Sequence, residues 1–193
     1  MTHSDLHQDL LEVLRNYWRI RNVIEFVRIS ELGQADVLIE YRGVDPVDGV
    51  PPFIANESFK LAIKAMHAHA TQRMSSDYLL LLISKYEHFL SSKLKSIGQP
   101  GEGTLGQLQK ATEKKFNVPN NSIKLASEVR ERRNCLIHRN GQADQKYINA
   151  AADAALLSNG HIHTVALNSP ISPGPEYLSF AADVLFQYSK AMP

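Results

Sequence analysis

Apolar residues recur every three or four positions over most of the chain, the spacing that places them on one face of an α-helix. The first such stretch runs from Asp5 to about Ile29, with Ser4 or Asp5 placed to cap its start. The strongest runs from Asp77 to Ile97, and its apolar stripe comprises Leu79, Leu82, Ile83, Tyr86, Leu90, Leu94 and Ile97. These two patterns predict long helices that bury one face in a core.

Shorter helical patterns fill most of the remaining chain. One begins near Glu57, and others span about 104–116, 123–140 and 144–157. Thr104 is a suitable cap for the first of these three, and Pro175 suits the first turn of a last helix. The sequence therefore predicts an all-α fold, a bundle of about five to six helices.

The segment from Glu31 to Ala55 interrupts the helical pattern. Glycines and prolines punctuate it, and Val37, Ile39 and Tyr41 alternate with polar residues. We expect a short extended N-terminal arm or loop, packed across the bundle or against a partner. Residues 1–76 then form an N-terminal helical segment with this arm, and residues 77–193 form the helical bundle, in one compact domain overall.

Composition narrows the class of protein. Hydrophobic residues make up 44% and charged residues 21% of the chain, which is typical of a globular protein. The net charge of +1 favours neither nucleic acid nor a membrane as partner of the whole molecule. The single cysteine, Cys135, fits a reducing compartment, and no apolar stretch is long enough to span a bilayer. We expect a cytoplasmic protein without a membrane partner.

The chain contains a local basic patch although its net charge is nearly neutral. Between Lys124 and Lys146 there are six cationic and three acidic side chains, a local balance of +3. Within it, Asn134 and His138 are four residues apart and share a helix face. Arg133 lies about 140° from His138 on an ideal helix, so we expect the two to meet only if the last turn unwinds or a second chain contributes one of them.

These residue types suit cleavage of a phosphodiester bond. An imidazole that exchanges protons near pH 7 is a general base, and a guanidinium holds a phosphate through two hydrogen bonds. RNA supplies its own nucleophile in the 2′-hydroxyl, so His138 and Arg133 predict cleavage to a 2′,3′-cyclic phosphate. No set of side chains with metal-ligand spacing accompanies them, and neither a metal nor another cofactor is expected.

The stretch from Arg133 to His138 resembles the signature of the HEPN superfamily: an arginine, a polar residue, three variable residues and a histidine. The helix around Glu87 is similar to an earlier core helix of the family that carries an acidic residue. The resemblance implies a homodimeric endoribonuclease with a shared cleft, often in toxin–antitoxin or phage-defence systems with an antitoxin or regulatory partner. Family members controlled by adenylylation carry tyrosine where this chain has Asn140, so we do not expect that control here.

The predicted catalytic residues are thus Arg133 and His138, with Asn134 orienting the histidine or substrate and Glu87 organising the arginine. The predicted RNA-binding residues are Arg130, Arg132, Arg139 and Lys146.

Each residue also has a structural interpretation. Arg133 would pair with Glu87, His138 would cap the carbonyls of its helix, and Cys135 would pack in the core rather than act as a nucleophile. The neighbouring arginines would form ordinary pairs on a solvated helix face. Two other functions therefore stay open: a non-catalytic HEPN module that binds RNA, nucleotide or a partner protein, and a plain helical scaffold.

Overall fold

The computed structural model describes residues 1–31, 38–42 and 54–193. Their chain divides into two compact units: a main unit, Met1–Tyr17 and Ser75–Pro193, and an arm unit, Trp18–Met74. Seven helices and one pair of strands are present in these described ranges. The predicted all-α class is confirmed, with one or two helices more than expected.

Helices make up most of the described chain. In chain order the elements are α1 (His3–Glu31), β1 (Leu38–Arg42), β2 (Ile54–Ser58), α2 (Phe59–Gln72), α3 (Met74–Ser96), α4 (Leu105–Lys115), α5 (Asn120–His138), α6 (Gln145–Ala155) and α7 (Pro175–Ser189). Pro175 is the first residue of α7, as predicted from the fit of its fixed φ to a first turn.

The arm unit contains the strand pair and α2. Strands β1 and β2 are antiparallel, with Leu38 opposite Ser58, so the predicted extended conformation is confirmed where the arm is described. The rest of the predicted arm, residues 32–37 and 43–53, lies outside the described residues. Helix α2 begins at Phe59 rather than near Glu57, because β2 continues to Ser58, whose hydroxyl then caps α2 by accepting from the Leu61 amide.

In the main unit, the first half of α1 packs antiparallel to α3. The Tyr17 hydroxyl lies 3.1 Å from the Ser75 hydroxyl, and the Lys85 ammonium lies 3.5 Å from an Asp9 carboxylate oxygen. Helix α3 buries the predicted stripe, except that Ile97 falls just beyond the helix end and is exposed. Phe89, which lies outside the predicted stripe, is also buried in this core.

The caps decide where α1 and α4 begin. Thr2, rather than Ser4 or Asp5, caps α1: the Asp5 amide donates to the Thr2 hydroxyl, and the Thr2 amide donates to the Asp5 carboxylate. The prediction for α4 is confirmed, because Thr104 and Gln107 form a reciprocal capping box.

Helix α5 ends at His138, two residues earlier than predicted. Asn140 and Gly141 adopt φ angles of 51° and 75°, and the Gly141 amide turns back to the Cys135 carbonyl at 3.0 Å. The Gly141 carbonyl then accepts from the Ile171 amide at 2.9 Å. The turn after His138 is therefore held by backbone hydrogen bonds of both the amide and the carbonyl of Gly141.

None of the helices in the described ranges combines the length and the apolar character needed to cross a bilayer.

Replacing Gly141 with alanine tests this turn. A Cβ is unfavourable at a φ of 75°, so Gly141→Ala is expected to lower the free energy of unfolding by about 1–2 kcal/mol in urea titrations. Gly106, inside the first turn of α4, is the matched control. A Cβ there meets Arg130 only at an ordinary 3.6 Å, so Gly106→Ala is expected to stabilise by about 0.4–1 kcal/mol. Equal effects of the two substitutions would contradict this description.

Candidate functional site

A cleft of about 500 Å³ opens in the main unit between the start of α4, one face of α5, and the start of α6. Its lining residues are Thr104, Leu105, Gly106, Gln107, Lys110, Arg130, Glu131, Arg133, Asn134, His138, Arg139, Asp144 and Lys146. Helix α5 contributes more of these residues than α4 or α6 does.

Arg133, Asn134 and His138 all border this one cleft. Helix α5 stays helical through His138, so the expected unwinding of its last turn does not occur. On an ideal helix Arg133 and His138 lie about 140° apart with Asn134 between them, which places them on opposite flanks of one broad exposed face. Neither unwinding nor a second chain is needed for both side chains to line the cleft.

A chain of polar contacts orients the Arg133 side of the cleft. Arg133 donates to the Asn134 amide oxygen at 3.3 Å, and the Asn134 amide nitrogen donates to Glu131 at 3.1 Å. The other oxygen of Glu131 accepts from Arg130 at 2.9 Å. Arg130 also donates to Gln109 on α4 at 2.7 Å, which ties this face of α5 to the neighbouring helix.

His138 has different surroundings. Its side chain is exposed at the end of α5, and its ring makes no hydrogen bond within the described ranges. The alternative in which His138 caps its helix is not what the structure shows, because the Arg139 and Gly141 amides both donate to the Cys135 carbonyl instead. The imidazole is therefore available to a molecule in the cleft.

The cleft carries an excess of positive charge. Five of its lining residues are cations and two are acids, a balance of +3 with His138 neutral. The first turn of α4 also borders it, and a helix N-terminus attracts anions. The α4 residues Thr104, Gln107 and Lys110 were not predicted as part of the site, since they lie more than twenty residues from the motif. The capping box at Thr104 was the only available signal for that edge.

The remaining predicted RNA-binding residues divide into two groups. Arg130, Arg139 and Lys146 line the cleft, and Arg139 also lies 3.5 Å from the Asn168 amide oxygen. Arg132 does not line it, because the side chain is buried. The prediction that Arg132 lies on an RNA path is therefore wrong.

Arg132 instead belongs to a buried polar network. Its guanidinium donates to Glu128 at 2.9 Å, to the Tyr147 hydroxyl at 2.7 Å and to the Ile171 carbonyl at 3.2 Å, and it lies 4.0 Å from the centre of the Tyr177 ring. Tyr177 donates to the second Glu128 oxygen at 2.5 Å. Burial raises the pKa of Tyr177 well above its usual value, so its hydroxyl keeps the proton that it donates.

The predicted role of Glu87 in organising Arg133 also needs correction. It is half-buried on α3 and does not line the cleft, and no hydrogen bond or ion pair joins it to Arg133 in the described part of the chain. Both the predicted organising role of Glu87 and the alternative structural pair require a contact with Arg133. That contact is not present among the described residues. The acid that organises the cleft arginines is Glu131, which lies on α5 itself.

Cys135 lies in the core and outside the cleft lining. Burial raises the pKa of its thiol, which disfavours the nucleophilic thiolate. These observations support the packing interpretation of this residue.

No group of three or more histidine, cysteine, aspartate or glutamate side chains is arranged to hold a metal ion in the ranges that the structure describes. Comparison with protein-family models, with curated proteins and with solved structures gives no match for this chain. The functional interpretation therefore depends on the residues of the cleft.

Substitution of Arg132 separates the buried network from the cleft. Arg132→Ala leaves the fully buried Glu128 carboxylate without its cation, so the free energy of unfolding is expected to fall by about 3–5 kcal/mol in urea titrations. The exposed Arg139→Ala variant is the matched control and is expected to stay within about 0.5 kcal/mol of the parent. Similar stability of the two variants would refute the structural role of Arg132.

Proposed function

We propose that this protein is a HEPN-type endoribonuclease that cuts RNA without a metal ion. The observation that carries the proposal is that Arg133, Asn134 and His138 border one positively charged cleft. An arginine and an available imidazole that border one cleft are the groups needed for attack by the RNA's own 2′-hydroxyl. The HEPN-like spacing of the same residues supports this assignment.

In the proposed reaction, His138 removes the proton from a 2′-hydroxyl in the cleft. The 2′-oxygen attacks the adjacent phosphorus, the bond from phosphorus to the 5′-oxygen breaks, and the leaving oxygen takes a proton from solvent. The products are a 2′,3′-cyclic phosphate end and a 5′-hydroxyl end. Arg133 stabilises the charge that develops on the phosphate oxygens, and Asn134, fixed by Glu131, is a positioning residue for that guanidinium.

The proposal includes a homodimer in which two copies of α5 meet at a shared cleft, as the resemblance implies. It also includes a cytoplasmic setting in toxin–antitoxin or phage defence, with an antitoxin or regulatory protein as a further partner. Since one chain already brings Arg133 and His138 to one cleft, the second copy would add a facing wall and a second set of the same residues.

A non-catalytic HEPN module is the second candidate function. The His138 ring has no hydrogen-bond partner in the described residues, whereas catalytic histidines are commonly oriented by one. The cations of the cleft would bind RNA or a nucleotide phosphate without any contribution from His138.

Cleavage of a structured RNA in EDTA tests the proposal. The parent is expected to cut, and Arg133→Ala and His138→Ala are each expected to lose at least about a hundredfold in rate. Arg15→Ala and His163→Ala are matched controls, because both residues are exposed in the main unit and outside the cleft, and should cut like the parent. The 5′ fragment should carry a 2′,3′-cyclic phosphate.

Three outcomes would contradict the proposal of a metal-independent endoribonuclease. Equal cleavage by all five proteins would indicate a contaminating nuclease, and cleavage abolished by EDTA would exclude a metal-independent reaction. RNA binding without cleavage, weakened by Arg133→Ala but unchanged by His138→Ala, would support the binding module instead.

A further inference from the structure

A second basic groove lies beside the cleft. It has a volume of about 700 Å³ and is lined by Gln99, Lys110, Ala111, Glu113, Lys114 and Lys115. Lys110 lines both the groove and the cleft, so this one side chain borders both spaces. We propose that a single strand of RNA passes from the cleft over Lys110 and follows α4 into this groove. This inference rests on the proposed function and specifies that its substrate is a single strand of RNA.

The length of α4 sets the length of this path. The first turn of the helix borders the cleft at Gly106, and its last turn carries Lys115 in the groove. At 1.5 Å per residue the two positions are about 14 Å apart along the helix axis. That distance matches about four stacked nucleotides at about 3.4 Å each. A dinucleotide in the cleft would not reach the end of the groove.

The charges of the groove are available for phosphates. Lys110, Lys114 and Lys115 are exposed, and none of them has an ion pair or hydrogen bond in the described ranges. The one acid of the lining, Glu113, accepts a hydrogen bond from Tyr188 on α7 at 3.3 Å. Lysines in a last turn also stabilise the helix dipole, which explains Lys114 and Lys115 but not Lys110, one turn earlier.

The chemistry of the lining indicates what the groove recognises. It contains three ammonium groups and no aromatic ring on which a base would stack. Recognition would therefore depend on the phosphate backbone, with little preference for sequence and a strong dependence on salt. The expected ligand is single-stranded RNA of several nucleotides, selected by length.

Binding of RNA that carries no free 2′-hydroxyl tests the path without requiring cleavage. The probes are 2′-O-methyl oligonucleotides of two and ten nucleotides, and the readout is fluorescence anisotropy over a range of salt concentrations. The test variant is Lys114→Gln/Lys115→Gln. The control is Lys124→Gln/Lys190→Gln, which removes the same charge from positions outside both spaces.

The test variant is expected to bind the ten-nucleotide probe on the order of tenfold more weakly than the parent at 0.1 M salt, with the slope of log K against log salt reduced by about 1.4. Its affinity for the dinucleotide and the control's affinity for both probes should match the parent. The proposed RNA path would be overturned if the test and control variants lost the same affinity. It would also be overturned if the test variant lost the same affinity for both probes.

Cleavage assays separate this inference from the proposed function. In a cutting parent, the test variant is expected to raise KM for a ten-nucleotide RNA with kcat unchanged, and to leave cleavage of a dinucleotide unaltered. A parent that shows the length effect in binding but never cuts would support the path and overturn the proposed function. A parent that cuts without any length effect would overturn the path alone.

Discussion

The buried ion pair between Glu128 and Arg132 fixes how α5 is turned about its axis. Both side chains are buried, and Tyr147 of α6 and Tyr177 of α7 complete their hydrogen bonds. Rotating α5 would break this network and leave a charge uncompensated inside the protein, at a cost of several kcal/mol. The face of α5 that carries Glu128 and Arg132 is buried in the core. Arg133 and its neighbours lie on the other face and therefore border the cleft.

The two proposed catalytic side chains in the cleft differ in their hydrogen-bond partners. The guanidinium of Arg133 is held through Asn134 and Glu131, and the latter is tied to α4 through Arg130. The imidazole of His138 stands at the helix end without such a partner in the described residues. In the proposed reaction, the Arg133 guanidinium is already positioned to bind the phosphate. The His138 imidazole would take its final orientation only when RNA binds. Preplaced charge of this kind costs no reorganisation during the reaction.

Local patterns in the sequence predicted much of the fold and the α5 part of the site. The stripe of α3 as far as Leu94, the cap at Thr104 and the first turn at Pro175 depend only on neighbouring residues, and the structure confirms them. Arg132 was assigned wrongly because its burial depends on residues of α6 and α7 that are distant in the chain. The contribution of α4 was missed for the same reason, since tertiary packing alone brings Lys110 to the cleft that Arg133 borders. The exposed and buried arginines of α5 look alike until their partners are known.

Arg133 and His138 are proposed to act on the same phosphate, and a double-mutant cycle on RNA cleavage measures that coupling directly. Single-turnover rates would be compared for the parent, Arg133→Ala, His138→Ala and the double variant. If both groups serve one transition state, the double variant should lose little more than the worse single variant, which for two hundredfold single effects corresponds to a coupling energy of about 2.7 kcal/mol. Rate losses that multiply, so that the double variant loses the product of the two, would contradict joint action at one phosphate.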